Sequence, residues 1–298
     1  MVHIRFQTKL LLYPFILLLA LPSIFSSCEK DEGIDFGGNY TKAETILDYS
    51  YGKDEKQKMD IYLPADRNQN RTKFLILLHG GAWLSGDKNE FPEIIPYLQQ
   101  SFGSDYAVVN MNYRLVKPIL GVQYMLPTQT DDIGDVIDFL DENSKNLGVA
   151  PQFVLMGESA GGHLSMLYAY KFDDRKRVKA VVNIVGPTDL SDPFYTTDPF
   201  YNQGLRLIMN PKKVPDGMTA AGYASPVTWV SASSPPTISF YGNRDHLIPN
   251  NQSEELEAKL KQYNVSYRMH VYDGGHDIAE KHAEGIVLKA RLFLAQVR

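Results

Sequence analysis

From residue 45 onward, short runs of apolar residues alternate with stretches in which apolar residues recur at helical spacing. The continuous apolar runs have the length and composition of strands buried on both faces, as in parallel sheets. Such strands are predicted at 74–78, 106–111, 153–156, 178–185, 237–241 and 267–272. At 59–63 apolar and polar residues alternate, which predicts a half-exposed strand at an edge of the sheet.

Helical patterns separate the predicted strands. Between 133 and 140, for example, apolar residues recur so that they share one helix face. Helices are predicted at 133–140, 161–170, 253–263 and 279–297. Strands that alternate with helices imply βαβ crossovers. We therefore expect an α/β fold class, with a mostly parallel central sheet flanked by helices on both faces.

One interval, 191–223, does not fit this alternation. It is rich in Pro, Phe, Tyr, Asn and Gly and has weak periodicity, so it is predicted to be an insertion. Aromatic residues mixed with polar ones suit stacking on a sugar or a phenolic ring. The alternative is that these aromatic residues only pack the insertion onto the sheet. The residues concerned are Phe194, Tyr195, Phe200 and Tyr201.

The N-terminal region has the layout of a secretory signal peptide. Arg5 and Lys9 precede an almost wholly apolar run at 10–25, and two small residues follow. The run is short and is interrupted by Pro and Ser, which disfavours a transmembrane helix. We predict a signal peptide of the lipoprotein type at 1–27 and a polar tether at 28–44.

Cys28 follows the segment Phe-Ser-Ser at 25–27, and this order resembles a bacterial lipobox, whose cysteine is acylated. We therefore predict a lipid anchor at Cys28 and a secreted, outer-membrane lipoprotein that contacts the membrane through this lipid only. The acidic cluster at 29–32 resembles a surface-export signal, so exposure at the cell surface is an expectation. An ordinary cleaved signal with an incidental cysteine is the alternative.

The composition narrows the possible partners. Hydrophobic residues make up 44% and charged residues 22% of the 298, as in ordinary globular proteins. The formal net charge is -5 and no basic patch stands out, which argues against a nucleic-acid partner. Cys28 is the only cysteine, so the predicted core contains no disulfide.

The first motif with chemical meaning is Gly-Glu-Ser-Ala-Gly at 157–161, which fits the G-x-S-x-G turn, called the nucleophile elbow, that presents a nucleophilic serine. A predicted buried strand leads into the motif and a predicted helix leads out, as this turn requires. The two glycines leave room for a sharp turn, and the helix N-terminus favours developing negative charge. Ser159 is therefore the predicted nucleophile.

The second motif is His-Gly-Gly-Ala-Trp at 79–83, directly after a predicted buried strand. An oxyanion hole needs backbone N–H groups aimed at one point with no side chain in the way, and consecutive glycines allow this. We predict that Gly81, Ala82 and Ala160 supply these N–H groups. His79 is expected to be structural, because it precedes the hole.

The general base and its acid are expected on later loops, in the order Ser, Asp or Glu, then His. Asp245 and His276 have this order, and each follows a predicted buried strand. Competing residues are the acids Asp189 and Asp273 and the histidines His246, His270 and His282. Glu158 is expected to make a structural pair under the loop, and His163 to be buried. The histidines at 270, 276 and 282 lie on unlike elements, so no metal site is predicted.

Together these segments resemble α/β-hydrolases of the hormone-sensitive-lipase-like and carboxylesterase branch. The chain most resembles the bifunctional feruloyl and acetyl esterase group of polysaccharide-degrading bacteria. The matching segments are 79–83, 86–87, 112–115, 127, 132, 157–163, 186–190, 224–226, 235–236, 242–249 and 274–276. Two departures are Ala82 at the family's third glycine and Val-Lys-Pro at 116–118 where Ala-Pro-Glu is usual.

The resemblance implies an α/β-hydrolase domain at 45–298 with an insertion at about 191–223. It implies a carboxylesterase with a Ser-Asp-His triad that needs no metal or organic cofactor. The implied substrate is a small-molecule or carbohydrate ester with a short or aromatic acyl group, as for an acetyl xylan esterase.

Two other functions compete with this interpretation. A serine peptidase of the prolyl-oligopeptidase type shares the fold, but the elbow carries Glu158 and Ala160 in place of the aromatic-containing elbow of those peptidases. A glycan-binding surface lipoprotein on an inactive hydrolase scaffold is the non-enzymatic alternative. Against it, every position of the predicted triad is filled.

Overall fold

The computed structural model describes residues 40–90, 93–118 and 121–297. The predicted signal peptide, Cys28 and most of the predicted tether lie outside these residues. Within the described ranges, no helix has both the length and the apolar character needed to cross a membrane.

An eight-stranded sheet organises the described residues. Its strands are β1 Glu44–Ser50, β2 Lys58–Leu63, β3 Lys73–Leu78, β4 Tyr106–Met111, β5 Phe153–Glu158, β6 Val178–Ile184, β7 Thr237–Gly242 and β8 Tyr267–Tyr272. Their order across the sheet is β1-β2-β4-β3-β5-β6-β7-β8. The β1–β2 and β2–β4 pairs are antiparallel, and all other pairs are parallel. The prediction of a mostly parallel sheet is confirmed.

Helices cover both faces of the sheet. They are α1 Ile94–Phe102, α2 Thr128–Leu147, α3 Ala160–Leu167, α4 Pro193–Thr197, α5 Pro199–Ile208, α6 Ala220–Ala224, α7 Asn251–Gln262, α8 Ile278–Lys281 and α9 Ala283–Gln296. Successive strand residues point to opposite faces, so Val154 and Leu155 of β5 belong to two different core clusters. The cluster around Leu155 includes residues of α2, α3 and α7, and that around Val154 includes residues of α1 and α9.

The edge of the sheet differs from the prediction. β2 is not the edge strand, because β1 pairs with it on its outer side. Asp60 of β2 is 3% exposed, although the polar–apolar alternation indicated exposure at this position. Its carboxylate accepts hydrogen bonds of 2.8 Å from the buried ammonium of Lys88. A paired carboxylate can stay buried, which the alternation alone does not reveal.

The packed domain also begins earlier than predicted. The Tyr40 hydroxyl donates a 2.7 Å hydrogen bond to the Lys145 carbonyl, and the Arg67 guanidinium lies 5.1 Å from the Tyr40 ring. Residues 40–44, assigned to the tether from sequence, therefore contact the domain.

Candidate active site

Ser159 stands at the turn between β5 and α3, at the carboxyl edge of the parallel strands. Its backbone has φ 53° and ψ -118°, a conformation that non-glycine residues rarely adopt. A Cβ on Gly157 would lie 2.3 Å from the carbonyl carbon of Gly161, and a Cβ on Gly161 would lie 2.2 Å from the Leu78 oxygen. Both positions therefore require glycine for the turn to close.

Asp245 follows β7 and His276 follows β8, and the structure brings both side chains to Ser159. His276 Nε2 lies 3.0 Å from Ser159 Oγ, and His276 Nδ1 lies 2.8 Å from Asp245 Oδ2. The Asp245 side chain is 1% exposed and that of His276 is 27% exposed. The hydroxyl, the imidazole and the carboxylate thus form one hydrogen-bonded series, an arrangement in which an imidazole can act as a base toward a hydroxyl.

The second oxygen of Asp245 is also fixed. Oδ1 accepts hydrogen bonds from the backbone N–H groups of Leu247 at 2.8 Å and Ile248 at 3.1 Å. One carboxylate oxygen therefore anchors the loop while the other faces His276. The competing acids lie elsewhere: Asp189 accepts hydrogen bonds from Ser191 and Ser225, and Asp273 makes an exposed ion pair of 3.1 Å with Arg244.

The loop after β3 has an unusual backbone. Gly81, Ala82 and Trp83 have φ values of 97°, 51° and 63°, so three successive residues are left-handed. Among the loop hydrogen bonds of the described chain, none uses the N–H groups of Gly81 or Ala82. Ala160 begins α3, where a helix has no partner of its own for the N–H. A Cβ on Gly80 would lie 3.4 Å from Ser159 Cβ, so this loop lies against the serine.

His79 stabilises this loop through buried contacts. It is fully buried, its ring stacks on Tyr113 with centroids 4.2 Å apart, and its Nδ1–H donates to the Gly80 carbonyl at 2.8 Å. The Tyr113 hydroxyl donates to the carbonyls of His79 at 2.9 Å and Gly80 at 3.0 Å. Burial lowers the pKa of His79. The ring is therefore a neutral support of the loop.

Glu158 does not make the structural pair that we expected. Its carboxyl is half-buried and has no hydrogen-bond or ion-pair partner among the described residues. Burial raises the pKa of this carboxyl, and His276 opposes the rise. The sequence motif around Glu158 does not indicate which side chain, if any, this carboxyl contacts in the fold.

His163 is buried, as expected, but it has specific partners that the sequence did not reveal. Trp83 Nε1–H donates to His163 Nδ1 at 3.2 Å, and His163 Nε2 lies 2.8 Å from the Ala224 carbonyl oxygen. Burial lowers the pKa of His163 to about 4.

The predicted insertion contains α4, α5 and α6 and contacts the loop that carries Asp245. The Tyr195 hydroxyl donates to the Leu247 carbonyl at 3.0 Å. Phe194, Tyr195 and Tyr201 pack on one another with ring centroids 5.0 to 5.9 Å apart. Phe200 is 80% exposed. Three of the four aromatic residues therefore pack the insertion, and one remains open to solvent.

Comparison with family models matches residues 59–260 to the BD-FAE family, a span that includes Ser159 and Asp245. The probable carboxylic ester hydrolase LipM of Mycobacterium tuberculosis is 25% identical over 271 residues, which are 84% of this chain and 61% of LipM. The chain spans 53% to 61% of the lengths of the LipM, LipQ and LipC relatives from that organism.

Two solved structures have the same fold. A truncated carbohydrate esterase from gut microbiota superposes with a TM-score of 0.71 and 20% identity, covering 86% of this chain and 97% of that one. The bifunctional GH43-CE of Bacteroides eggerthii superposes with a TM-score of 0.63 and 23% identity, covering 83% of this chain and 38% of that one. The predicted α/β-hydrolase fold is confirmed.

Proposed function

Because the chain belongs to the BD-FAE family, we propose that it is a serine carboxylic ester hydrolase. The observation that carries the proposal is the hydrogen-bonded series from Ser159 through His276 to Asp245. The names of two relatives, a probable carboxylic ester hydrolase and an esterase, support it.

In the proposed acylation step, Ser159 Oγ attacks the ester carbonyl carbon while His276 Nε2 takes its proton. Asp245 accepts the hydrogen bond from His276 Nδ1–H and stabilises the imidazolium that forms. The N–H groups of Gly81, Ala82 and Ala160 donate to the oxyanion of the tetrahedral intermediate. Removal of one such donor costs roughly 3–4 kcal/mol of transition-state stabilisation in enzymes where it has been tested.

The intermediate collapses when the bond to the leaving oxygen breaks and His276 Nε2–H gives that oxygen a proton. The alcohol departs and leaves an acyl ester on Ser159. Water then attacks the acyl carbon and gives a proton to His276, and a second collapse returns that proton to Ser159. The carboxylic acid is released, so these steps require only protein groups and water.

For the substrate, we propose short or aromatic acyl groups carried by a carbohydrate. The likeness to a structure named as a carbohydrate esterase is consistent with this class. Phe200 is the aromatic side chain of the insertion that is open to a sugar or phenolic ring. Phe194, Tyr195 and Tyr201 pack on one another, and Tyr195 hydrogen-bonds the loop that carries Asp245.

For the location, we propose that Cys28 is acylated and holds the enzyme at the outer membrane. The support is the basic–apolar–small–Cys order of the sequence. Detergent phase partition of the full chain tests it, with Cys28→Ala as the comparison. Equal partition of both proteins into the aqueous phase would rule the anchor out.

The activity is tested with p-nitrophenyl acyl esters, acetylated xylan and methyl ferulate. We expect turnover by the wild type, and a loss of roughly 10⁵- to 10⁶-fold in kcat for Ser159→Ala. Ser191→Ala, an exposed serine in the insertion, is the control and keeps its activity. A fluorophosphonate probe should label Ser159 alone. A folded wild type that hydrolyses none of these esters contradicts the proposal.

A further inference from the structure

His163 occupies a position that the proposed mechanism does not use. It lies in α3, one helical turn after Ser159, and no part of it reaches solvent. Each ring nitrogen has one partner: Trp83 Nε1 at 3.2 Å and the Ala224 carbonyl oxygen at 2.8 Å. A buried histidine with both nitrogens satisfied is fixed in orientation, since any rotation breaks at least one buried hydrogen bond.

The two partners determine the tautomer of the ring. An indole nitrogen can only donate, so His163 Nδ1 carries no proton and accepts from Trp83. A carbonyl oxygen can only accept, so His163 Nε2 carries the proton and donates to Ala224. The imidazole is therefore neutral, in agreement with burial, which lowers the pKa of this group.

These hydrogen bonds join three parts of the chain that are distant in sequence. Trp83 belongs to the loop after β3, directly after Gly81 and Ala82. Ala224 is the last residue of α6 and follows the predicted insertion directly. His163 stands between them on the helix that begins behind the nucleophile.

The backbone conformation of Trp83 requires stabilising contacts from other residues. Its φ of 63° is a left-handed value that is unfavourable for a bulky side chain. Such a conformation persists when surrounding contacts fix it. Two contacts do so here: the indole N–H donates to His163, and the Trp83 carbonyl accepts a 2.9 Å hydrogen bond from the Val116 N–H.

We propose that His163 is a positioning residue for the oxyanion hole. It holds Trp83, and thereby the adjacent Gly81 and Ala82 N–H groups, against the carboxyl end of α6. The proposal rests on the proposed esterase function. It makes the position of Ala224, where the chain leaves the insertion, a determinant of kcat, because a change at Ala224 reaches the N–H groups through His163.

The test compares His163→Leu, which removes both hydrogen bonds, with His163→Asn, which keeps an acceptor near the position of Nδ1. We expect kcat on p-nitrophenyl acetate to fall about 10- to 100-fold in His163→Leu, less than the roughly 100- to 1,000-fold loss for a deleted oxyanion donor. KM should change little, and His163→Asn should recover part of kcat. The inhibition constant of a trifluoromethyl ketone, whose adduct places an oxyanion in the hole, should rise in parallel with the loss in kcat.

Trp83→Phe tests the same hydrogen bond from the other side and covers the case in which His163→Leu does not fold. It should lower kcat, and in the double variant the two effects should not add. Tyr170→Phe is the control: Tyr170 is buried in the same core cluster, and its hydroxyl makes a 2.7 Å hydrogen bond with Thr237 Oγ1. We expect its kcat to match that of the wild type.

Folded His163→Leu and Trp83→Phe enzymes with wild-type kcat would overturn the proposal. So would a parallel loss in the Tyr170→Phe control, because the effect would then follow general destabilisation. Failure of the esterase function itself is distinguishable, since the wild type would then show no turnover with any ester.

Discussion

The elbow around Ser159 and the insertion at 191–223 are built by opposite means. In the elbow, glycines are pressed against backbone from distant segments, as Gly161 is against Leu78. In the insertion, helices begin with a local side-chain cap. Asp192, Asp198, Asn210 and Thr219 each accept a hydrogen bond from an N–H two or three residues ahead.

The glycines show the same contrast. A Cβ at Gly204 or Gly217 of the insertion would meet nothing within 4 Å. The elbow is therefore fixed by close contacts between backbone segments, whereas the insertion combines local caps and an aromatic cluster with buried side chains such as Leu205 and Ile208. A substitution in the elbow should disturb chemistry and folding together, whereas one in the insertion should change stability by small, separable amounts.

After the loss proposed for Ser159→Ala, the largest effect is expected at Asp245, the proposed triad acid. Asp245→Asn keeps the shape of the side chain, and its amide oxygen can take the place of Oδ1 on the N–H groups of Leu247 and Ile248. Its NH2 group then faces His276 Nδ1 and favours the wrong tautomer of the imidazole, so kcat should fall about 10⁴-fold. Asp273→Asn is the control, because Asp273 makes only an exposed ion pair with Arg244 and such pairs contribute little. Steady-state kinetics and circular dichroism of both variants measure the effect. If the Asp245→Asn enzyme stays active, Asp189 and Asp273 become the candidates for the acid that orients His276.

The next effect should distinguish the two regions directly. In Gly161→Ala the new methyl group would lie 2.2 Å from the Leu78 oxygen, which is backbone and cannot swing away. We expect the free energy of unfolding to fall by at least about 3 kcal/mol, the upper part of the usual range for overpacking. Denaturant titration measures this loss. Unchanged stability would mean that the elbow is less constrained than its geometry indicates.

The elbow and the sheet were accessible from sequence because each is contiguous and has one dominant pattern. β5 and the glycine-flanked serine follow each other directly, so a strand and a turn could be identified together. β1 was missed because its exposed and half-buried residues give no continuous apolar run. The Trp83–His163 hydrogen bond was missed because 80 residues separate its partners and neither belongs to a shared pattern.

The insertion helices were missed for a different reason. A helix of five residues, such as α4, is too short for helical periodicity to appear. A local signal was nevertheless present, since Asp or Asn stands directly before Pro at 192–193, 198–199 and 210–211. A capping residue followed by proline at the first helical position is typical of a helix start.

The third prediction concerns the pH dependence of stability that His163 causes. His163 hydrogen-bonds the Ala224 carbonyl at the end of α6. Burial lowers the pKa of His163 from 6.5 to about 4, so between these values the unfolded chain binds a proton that the folded protein does not. The stabilisation by neutral His163 is therefore complete above pH 6.5 and is lost as pH falls toward 4. The stability advantage of the wild type over His163→Asn should shrink by about 3 kcal/mol from pH 7 to pH 4. A constant difference would contradict this protonation state.

A smaller effect is expected where the insertion depends on a cap. Asp198 accepts hydrogen bonds from the N–H groups of Phe200 at 2.8 Å and Tyr201 at 3.2 Å at the start of α5. Asp198→Ala should lower the free energy of unfolding by about 1 kcal/mol, whereas Asp198→Asn, also a good cap, should lower it much less. Denaturant titration compares the three proteins. A loss as large as that of Gly161→Ala would contradict the small, separable effects expected for substitutions in the insertion.

The smallest expected effect is an increase, not a decrease, in the free energy of unfolding. Gly204 lies inside α5, has no positive φ, and would place a methyl group in open space. Gly204→Ala should therefore stabilise the protein by about 0.5–1 kcal/mol, because alanine loses less backbone entropy than glycine in a helix. The same substitution thus destabilises at Gly161 and stabilises at Gly204, and denaturant titration of both variants measures the two signs. If Gly204→Ala destabilises instead, this face of α5 is covered in solution, and the insertion is more tightly packed than its local caps indicate.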